Sequence, residues 1–392
     1  MPDHLAAFRE RALALDAADR LASWRGEFVI DPDVVAYLDG NSLGRLPRRT
    51  QARLEHFVRE EWGGRLIRGW AEGWVDLPVQ VGDAVGALVG AAAGQTVVAD
   101  STSVCLAKAL HAAASLVPGR ARLLVDGADF PTDRYLAARV PRDRGLELVA
   151  TRDVTDELDD RAAVVLLSHV DYRTGELRDL ADLTRRVHAV GGVVVWDLCH
   201  SVGVVPIALD AAEVDLAVGC TYKYLNAGPG APAFVYAAAR HLPMLDQPLP
   251  GWWSADDLFA MADEYRPAGD ARRLLSGTPP VMGLLAVREG VAIAAEAGTA
   301  AAREKSVLLT TFAIEVLDAL GLEVVTPREP DRRGSHVTVR LTDARKITEQ
   351  LTARGVVPDF REPDLLRLGL APLTTSFTEL LDGLEVLAEE VG

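Results

Sequence analysis

Asp215-Leu-Ala-Val-Gly-Cys-Thr-Tyr-Lys-Tyr-Leu-Asn-Ala-Gly-Pro-Gly230 reads as an apolar strand that runs into polar residues, a lysine at 223 and a glycine-rich turn. A lysine held in a partly desolvated pocket has a lowered pKa and can form a Schiff base. Taken alone, a lysine after a strand is usually a solvated loop residue. Tyr222 and Thr221 beside it can offer hydroxyls to a phosphate.

One helix–strand unit upstream lies Val193-Val-Val-Trp-Asp197-Leu-Cys-His200. Here a buried strand ends in an aspartate. Such a carboxylate can keep a pyridine nitrogen protonated, so that the ring accepts electrons from a substrate carbanion. The plainer alternative for Asp197 is a helix N-cap. The pairing with Lys223 favours chemistry, because it sets an imine-forming amine and a ring-nitrogen partner on neighbouring strands.

Outward from this pair, short β-rich runs alternate with helical stretches from about 94 to 236. The expected strands are Thr96–Ala99, Arg122–Val125, Leu146–Ala150, Ala163–Leu167, Val193–Asp197, Leu216–Cys220 and Ala233–Tyr236, with helices such as Val104–Leu116 and Leu177–Ala189 between them. This alternation predicts an α/β fold with a mainly parallel seven-stranded sheet sandwiched by helices. Ligands of such sheets sit at the carboxyl ends of the strands.

The strand ends carry further polar motifs. Ala99-Asp-Ser-Thr-Ser-Val104 ends a strand and opens a helix, a setting for an anion on backbone N–H groups and hydroxyls. Simple capping by the same hydroxyls is the alternative. Phe130-Pro-Thr-Asp133 places a ring that can stack on a cofactor face or serve as core. Ser168-His-Val-Asp-Tyr-Arg-Thr-Gly175 puts Ser168 at a third strand end, with His169, Asp171 and Tyr172 behind it. Arg367, inside the apolar run Leu365–Leu370, is either edge-exposed or a bidentate clamp for a carboxylate.

At the flanks, residues 4–24 read as an amphipathic helix and 48–61 as another. Residues 237–280 are irregular and rich in Pro and Gly. Beyond 281 a long helical stretch leads to strand-like runs at Val337–Leu341 and Leu365–Leu370, a smaller α+β unit. The expected division is 1–45 as a helix and arm packed with the small domain, 46–280 as the large domain and 281–392 as the small one. The chain has 392 residues, more than one core usually covers.

A net charge of −16 argues against nucleic-acid or anionic-membrane surfaces. The three cysteines, Cys105, Cys199 and Cys220, show no CxxC pair, which suits a reducing compartment. With no signal-like or membrane-spanning run, the chain reads as cytoplasmic. No metal-ligand spacing stands out.

Together, YLDGNSLG (37–44), DSTSV (100–104), FPTD (130–133), SHVDYRTG (168–175), WDLCHSVG (196–203), GCTYKYLNAGPGAP (219–232), GWW (251–253), GTPP (277–280) and RLGLAPLTTSF (367–377) resemble the kynureninases. These belong to the pyridoxal-5′-phosphate (PLP)-dependent transferase-like enzymes of fold type I. The resemblance implies a homodimer with active sites at the subunit interface, hydrolysing L-kynurenine to anthranilate and L-alanine in tryptophan degradation. It makes Lys223 the Schiff-base lysine and the base at the substrate α-carbon. Asp197 becomes the partner of the pyridine nitrogen, and Tyr222 or a phosphate-linked group the candidate base for the water that attacks the γ-carbonyl. Thr102, Ser103, Tyr222, Trp252 and Thr278 would hold the phosphate, the last two from the second subunit. Phe130, Pro131, Thr132, Asp133, Ser168 and His200 would complete the cofactor shell. Arg367 would grip the substrate carboxylate, with Asn41 and Ser42 near the substrate.

Two departures bear on substrate. Some members, notably animal ones, carry Ser-Asn where this chain has Gly277-Thr278, and where such members carry a histidine near the substrate ring an ungapped alignment puts Ile67. Both point to L-kynurenine over its 3-hydroxy form, through loss of a polar partner for the ring hydroxyl. Two rival readings on this fold are a kynureninase-like enzyme for a modified kynurenine in a biosynthetic pathway and a class V-type aminotransferase. Desulfurases need a reactive cysteine beyond the lysine, and none follows Cys220.

Overall fold

The computed structural model describes residues 3–391. The first helix, Asp3–Ala18, ends earlier than expected. The Asp19 carboxylate accepts the amide of Leu21 at 2.8 Å, and the chain enters a 3-10 turn, Ala22–Glu27. After β1 (Ala36–Tyr37), the helix Arg48–His56 widens into a π turn at Phe57–Trp62 instead of continuing regularly to 61.

The large sheet contains β2 (Thr96–Ala99), β3 (Arg122–Asp126), β4 (Glu147–Thr151), β5 (Ala162–Ser168), β6 (Val193–Asp197), β7 (Leu216–Gly219) and β8 (Ala233–Ala237). Their spatial order is β2-β8-β7-β6-β5-β3-β4. All neighbours are parallel except those of β8, which runs against both β2 and β7. Each strand falls within a residue or so of its expected span. Every residue of β5, β6 and β7 is buried, as continuous Val/Leu/Ala runs require when helices cover both faces. One core packs on each face, around Trp196, Phe234 and Leu284 on one side and around Leu110, Leu166 and Trp253 on the other.

A second sheet, antiparallel, runs β12-β13-β10-β9, from β9 (Glu323–Val324), β10 (His336–Arg340), β12 (Asp359–Arg361) and β13 (Leu365–Gly369). The intervening β11 (Val356–Val357) pairs in parallel with β1, which ties the N-terminal arm to this unit. Ala12, Ala36 and Leu38 share a core with Phe312, Leu368 and Phe377. The stretch after 280 forms two helices, Val281–Ala297 and Thr299–Ala319. The first packs into the large-sheet core, the second into the small one. Among the described residues no helix is long and apolar enough to cross a membrane.

Candidate active site

Ser168, Asp197 and Val218 form one row across β5, β6 and β7 at the carboxyl ends of the strands. The loops that leave these ends enclose a cavity. It is lined by Thr102, Ser103, Phe130, Thr132, Asp133, Ser168, Asp197, His200, Tyr222 and Lys223, together with Leu106, Tyr172 and Cys199.

Lys223 is carried on the loop after β7. Its Nζ lies 3.1 Å from Nε2 of His200. Burial, aided by Lys223, holds the His200 imidazole well below its usual pKa, so it is neutral at pH 7. The N-terminal arm clamps the lysine loop from outside. The Gly44 amide donates to the Tyr222 carbonyl at 2.8 Å, and a Cβ on Gly44 would sit 2.3 Å from the Lys223 carbonyl oxygen. That close approach requires glycine.

Asp197 does not cap a helix. Its Oδ1 accepts the Cys199 amide at 2.7 Å in a tight turn, leaving the rest of the carboxylate toward the cavity. Asp133, on the first turn of the helix Pro131–Arg144, faces it. Burial pushes the Asp133 carboxyl well above the usual range, and repulsion from Asp197 adds to this. Oδ2 of Asp133 is buried without a partner. Pro131 is the first residue of that helix, where a missing N–H costs nothing, and Phe130 stands just before it. The Phe130 ring meets Tyr172 edge-on at 5.2 Å.

At the opposite wall the helix Thr102–Leu116 points its N-terminus into the cavity. Ser101, not Thr102, caps it, through Oγ to the Val104 amide. The Thr102 hydroxyl is buried with no partner. The turn before it is held by Asp100, at a φ of 51°, whose carboxylate accepts from the fully buried Lys108 at 2.6 Å. A helix N-terminus with a free hydroxyl fits a phosphate. A neighbouring carboxylate pair and an amine fit a protonated pyridine ring with an aldehyde carbon. The donor set therefore matches PLP.

Thr221 is excluded from any phosphate. Its Oγ1 donates to the Pro232 carbonyl at 2.7 Å, and the side chain is fully buried. Asp171 and His169 also stay out of the cavity. The Asp171 carboxylate ties the turn at Arg173 and Thr174, and His169 packs edge-on against Trp196.

Arg367 is buried in β13 between β12 and β10, so it is not edge-exposed. Its Nη2 donates to Asp359 and to the Ser42 hydroxyl (2.8 Å), and its Nη1 to the Tyr172 carbonyl (2.5 Å). Asn41 is fully buried against Gly369, on the strand that carries Arg367, with neither amide atom partnered.

Against known sequences, the chain is 41% identical to the kynureninase of Pseudomonas fluorescens over 97% of its own length and 95% of that protein. The chain belongs to the kynureninase family. It matches the kynureninase of Burkholderia pseudomallei (strain 1106a) to the same extent, and a family model described as the kynureninase C-terminal domain covers residues 302–387. Among solved structures it is similar to the apo cysteine desulfurase of Thermococcus onnurineus NA1, with a TM-score of 0.82, 16% identity and coverage of 94% of this chain and 97% of that one. It is likewise similar to the cysteine desulfurase CsdA of Escherichia coli, with a TM-score of 0.81, 17% identity and coverage of 95% and 99%. These likenesses establish the fold, which is fold type I.

Two residues that the kynureninase resemblance assigned to the phosphate stand apart. Trp252 packs against Trp253 and Phe259 in a separate hollow, and Thr278 is exposed. Neither lines the cavity of its own chain. Ile67 is also exposed. Sequence reasoning passed over Asp359, Asp39 and His336. His336 is fully buried, with its ring edge-on to His200 at 5.8 Å and both nitrogens unpartnered. For His336 the available signal was a histidine opening an apolar strand pattern; Asp39 and Asp359 carried none.

Proposed function

We propose that this protein is a PLP-dependent kynureninase that hydrolyses L-kynurenine to anthranilate and L-alanine. The observation that carries the reading is the single cavity in which Lys223, Asp197 and the N-terminus of the helix Thr102–Leu116 converge. Family membership supports it from the side of the whole chain.

When bound, PLP supplies an electron sink for the charge left on the substrate α-carbon. The chain supplies the rest. Thr102, Ser103 and the backbone N–H groups behind them hold the phosphate. Phe130 would cover one face of the ring, beside Pro131 and Thr132. Asp197 would accept from the protonated ring nitrogen, with the Asp133 carboxyl, held above the usual range by burial, facing that contact. Ser168 closes the floor at the end of β5. Lys223 would hold the cofactor through its amine and would take the α-proton of the substrate; neutral His200, 3.1 Å away, would aim that amine. Arg367, with Asn41 and Ser42, orients the substrate carboxylate. Burial raises the Tyr222 phenol well above its usual pKa, with Cys220 adding to this, so Tyr222 acts as a proton donor and not as the base for water. Each such proton transfer contributes about 10²–10⁴-fold.

Trp252 and Thr278 reach the phosphate from a second subunit in this reading, which makes the active unit a homodimer. The division into an arm (1–45), a large domain (46–280) and a small domain (281–392) belongs to the same proposal, with the helix Val281–Ala297 as the joining element. Ile67 is exposed in its own chain, so it bears on L-kynurenine against 3-hydroxykynurenine only in the dimer of this reading, from the second subunit. We place the enzyme in the cytoplasm and in tryptophan degradation.

The cysteine-dependent chemistry of the structural neighbours finds no support here. Cys105, Cys199 and Cys220 are all buried, and none follows Lys223. The test is incubation with PLP and L-kynurenine while anthranilate fluorescence is followed. Growth of that signal without a 2-oxoacid supports hydrolysis. Turnover only when a 2-oxoacid is added would make the protein an aminotransferase.

A further inference from the structure

Arg367 has few N–H groups to spare. A carboxylate that engages a guanidinium with both oxygens uses either Nε and Nη2 or Nη1 and Nη2, so both modes need Nη2. Both Nη2 hydrogens are already taken, one by Asp359 Oδ2 and one by Ser42 Oγ. Nε is buried without a partner. Ser42 is a hydroxyl and can turn to donate to an incoming anion. Asp359 cannot, because two carboxylates on one nitrogen repel.

Asp359 also has somewhere else to go. It is the direct cross-strand partner of Arg367 between β12 and β13. The same Oδ2 lies 2.7 Å from Nη2 of Arg361, on its own strand. Asp39 stands 4.0 Å from the far side of Nη2, its Oδ1 unpartnered, and completes a cluster of two carboxylates and two guanidiniums. A guanidinium that is 1% exposed needs a counter-ion at all times.

We infer that Asp359 is a specificity-determining residue, a latch that neutralises Arg367 before substrate arrives and is displaced onto Arg361 by the substrate α-carboxylate. The inference rests on the reading of Arg367 as the carboxylate grip. The latch makes every ligand compete with an internal anion, so a ligand without an α-carboxylate leaves Arg367 engaged by Asp359.

The test compares Asp359→Asn with Arg361→Gln in the full chain. Loss of the competing charge lowers KM for L-kynurenine by about fivefold or more, and the gain in kcat/KM is carried by KM. Loss of the fallback partner raises KM by a similar factor. Binding of L-alanine to the cofactor-free protein, measured by isothermal titration calorimetry, follows the same two opposite directions. Weaker or unchanged alanine binding by a folded Asp359→Asn protein overturns the latch. Should that variant not fold, unchanged binding by Arg361→Gln overturns it alone. Alanine binding that shifts as expected in a protein that does not hydrolyse kynurenine sustains the latch and removes the kynureninase reading instead.

Discussion

The Nζ of Lys223 and Nε2 of His200 lie 3.1 Å apart, at the ends of two neighbouring parallel strands. With the imidazole neutral, an Nε2 that accepts from Nζ leaves the ring proton on Nδ1. This fixes the direction in which the amine points.

Replacement of Lys223 by alanine is therefore expected to abolish the visible absorbance of lysine-bound PLP and to lower turnover by more than about 100-fold. His200→Asn retains the bound cofactor and loses roughly tenfold, because only aim is lost. Wild-type absorbance in the Lys223→Ala protein would falsify the assignment.

Thr102 and Ser101 separate anchoring from capping. Thr102→Val removes a hydroxyl that holds nothing within the protein. A hydrogen bond to a charged group contributes about 1.5–3 kcal/mol, so the Kd for PLP should rise about tenfold or more. The melting temperature of the cofactor-free protein should stay put. Ser101→Ala should behave in reverse, with about 1 kcal/mol of stability lost with the cap. Equal effects of the two changes on PLP affinity would contradict this division.

His169 links the fold to pH. Burial lowers its pKa to about 4. Its folded-state pKa lies below the unfolded value near 6.5, so the unfolded chain binds the extra proton and stability falls as pH drops between those two values. The slope is about 1.4 kcal/mol per pH unit for one group. His169→Gln should flatten the dependence of unfolding free energy on pH between 6.5 and 4 relative to wild type, whatever it does at pH 7. Parallel curves for the two proteins would show that His169 does not titrate in this window.

Trp252 and Thr278 lie outside the cavity of their own chain. If they serve a second copy, Lys223→Ala and Trp252→Ala are complementary defects. Mixing and refolding the two inactive proteins should restore activity through hybrid dimers with one intact site. A mixture no more active than its parts would show that these residues act within one chain or not at all.

The sheet and the core of the site were legible because their signals are local. A buried parallel strand is a continuous apolar run, and a polar residue that ends it faces the ligand edge. Asp197, Ser168, Lys223 and the Thr102–Ser103 turn all follow from that rule. The end of the first helix was missed because one Asp19 side chain redirected the backbone.

Adjacent residues with like chemistry lay beyond the reach of sequence. Thr221 and Tyr222 both carry hydroxyls, yet the loop turns Thr221 onto Pro232 and leaves Tyr222 on the cavity. Sequence by itself determined the strand order of residue types, the amine–carboxylate pair and the family. Only the tertiary structure decided what surrounds Arg367, because Ser42, Tyr172 and Asp359 come from the arm, the loop after β5 and the small sheet. Periodicity reports which face of an element is buried, whereas the partner of a buried charge is set by how separate elements pack.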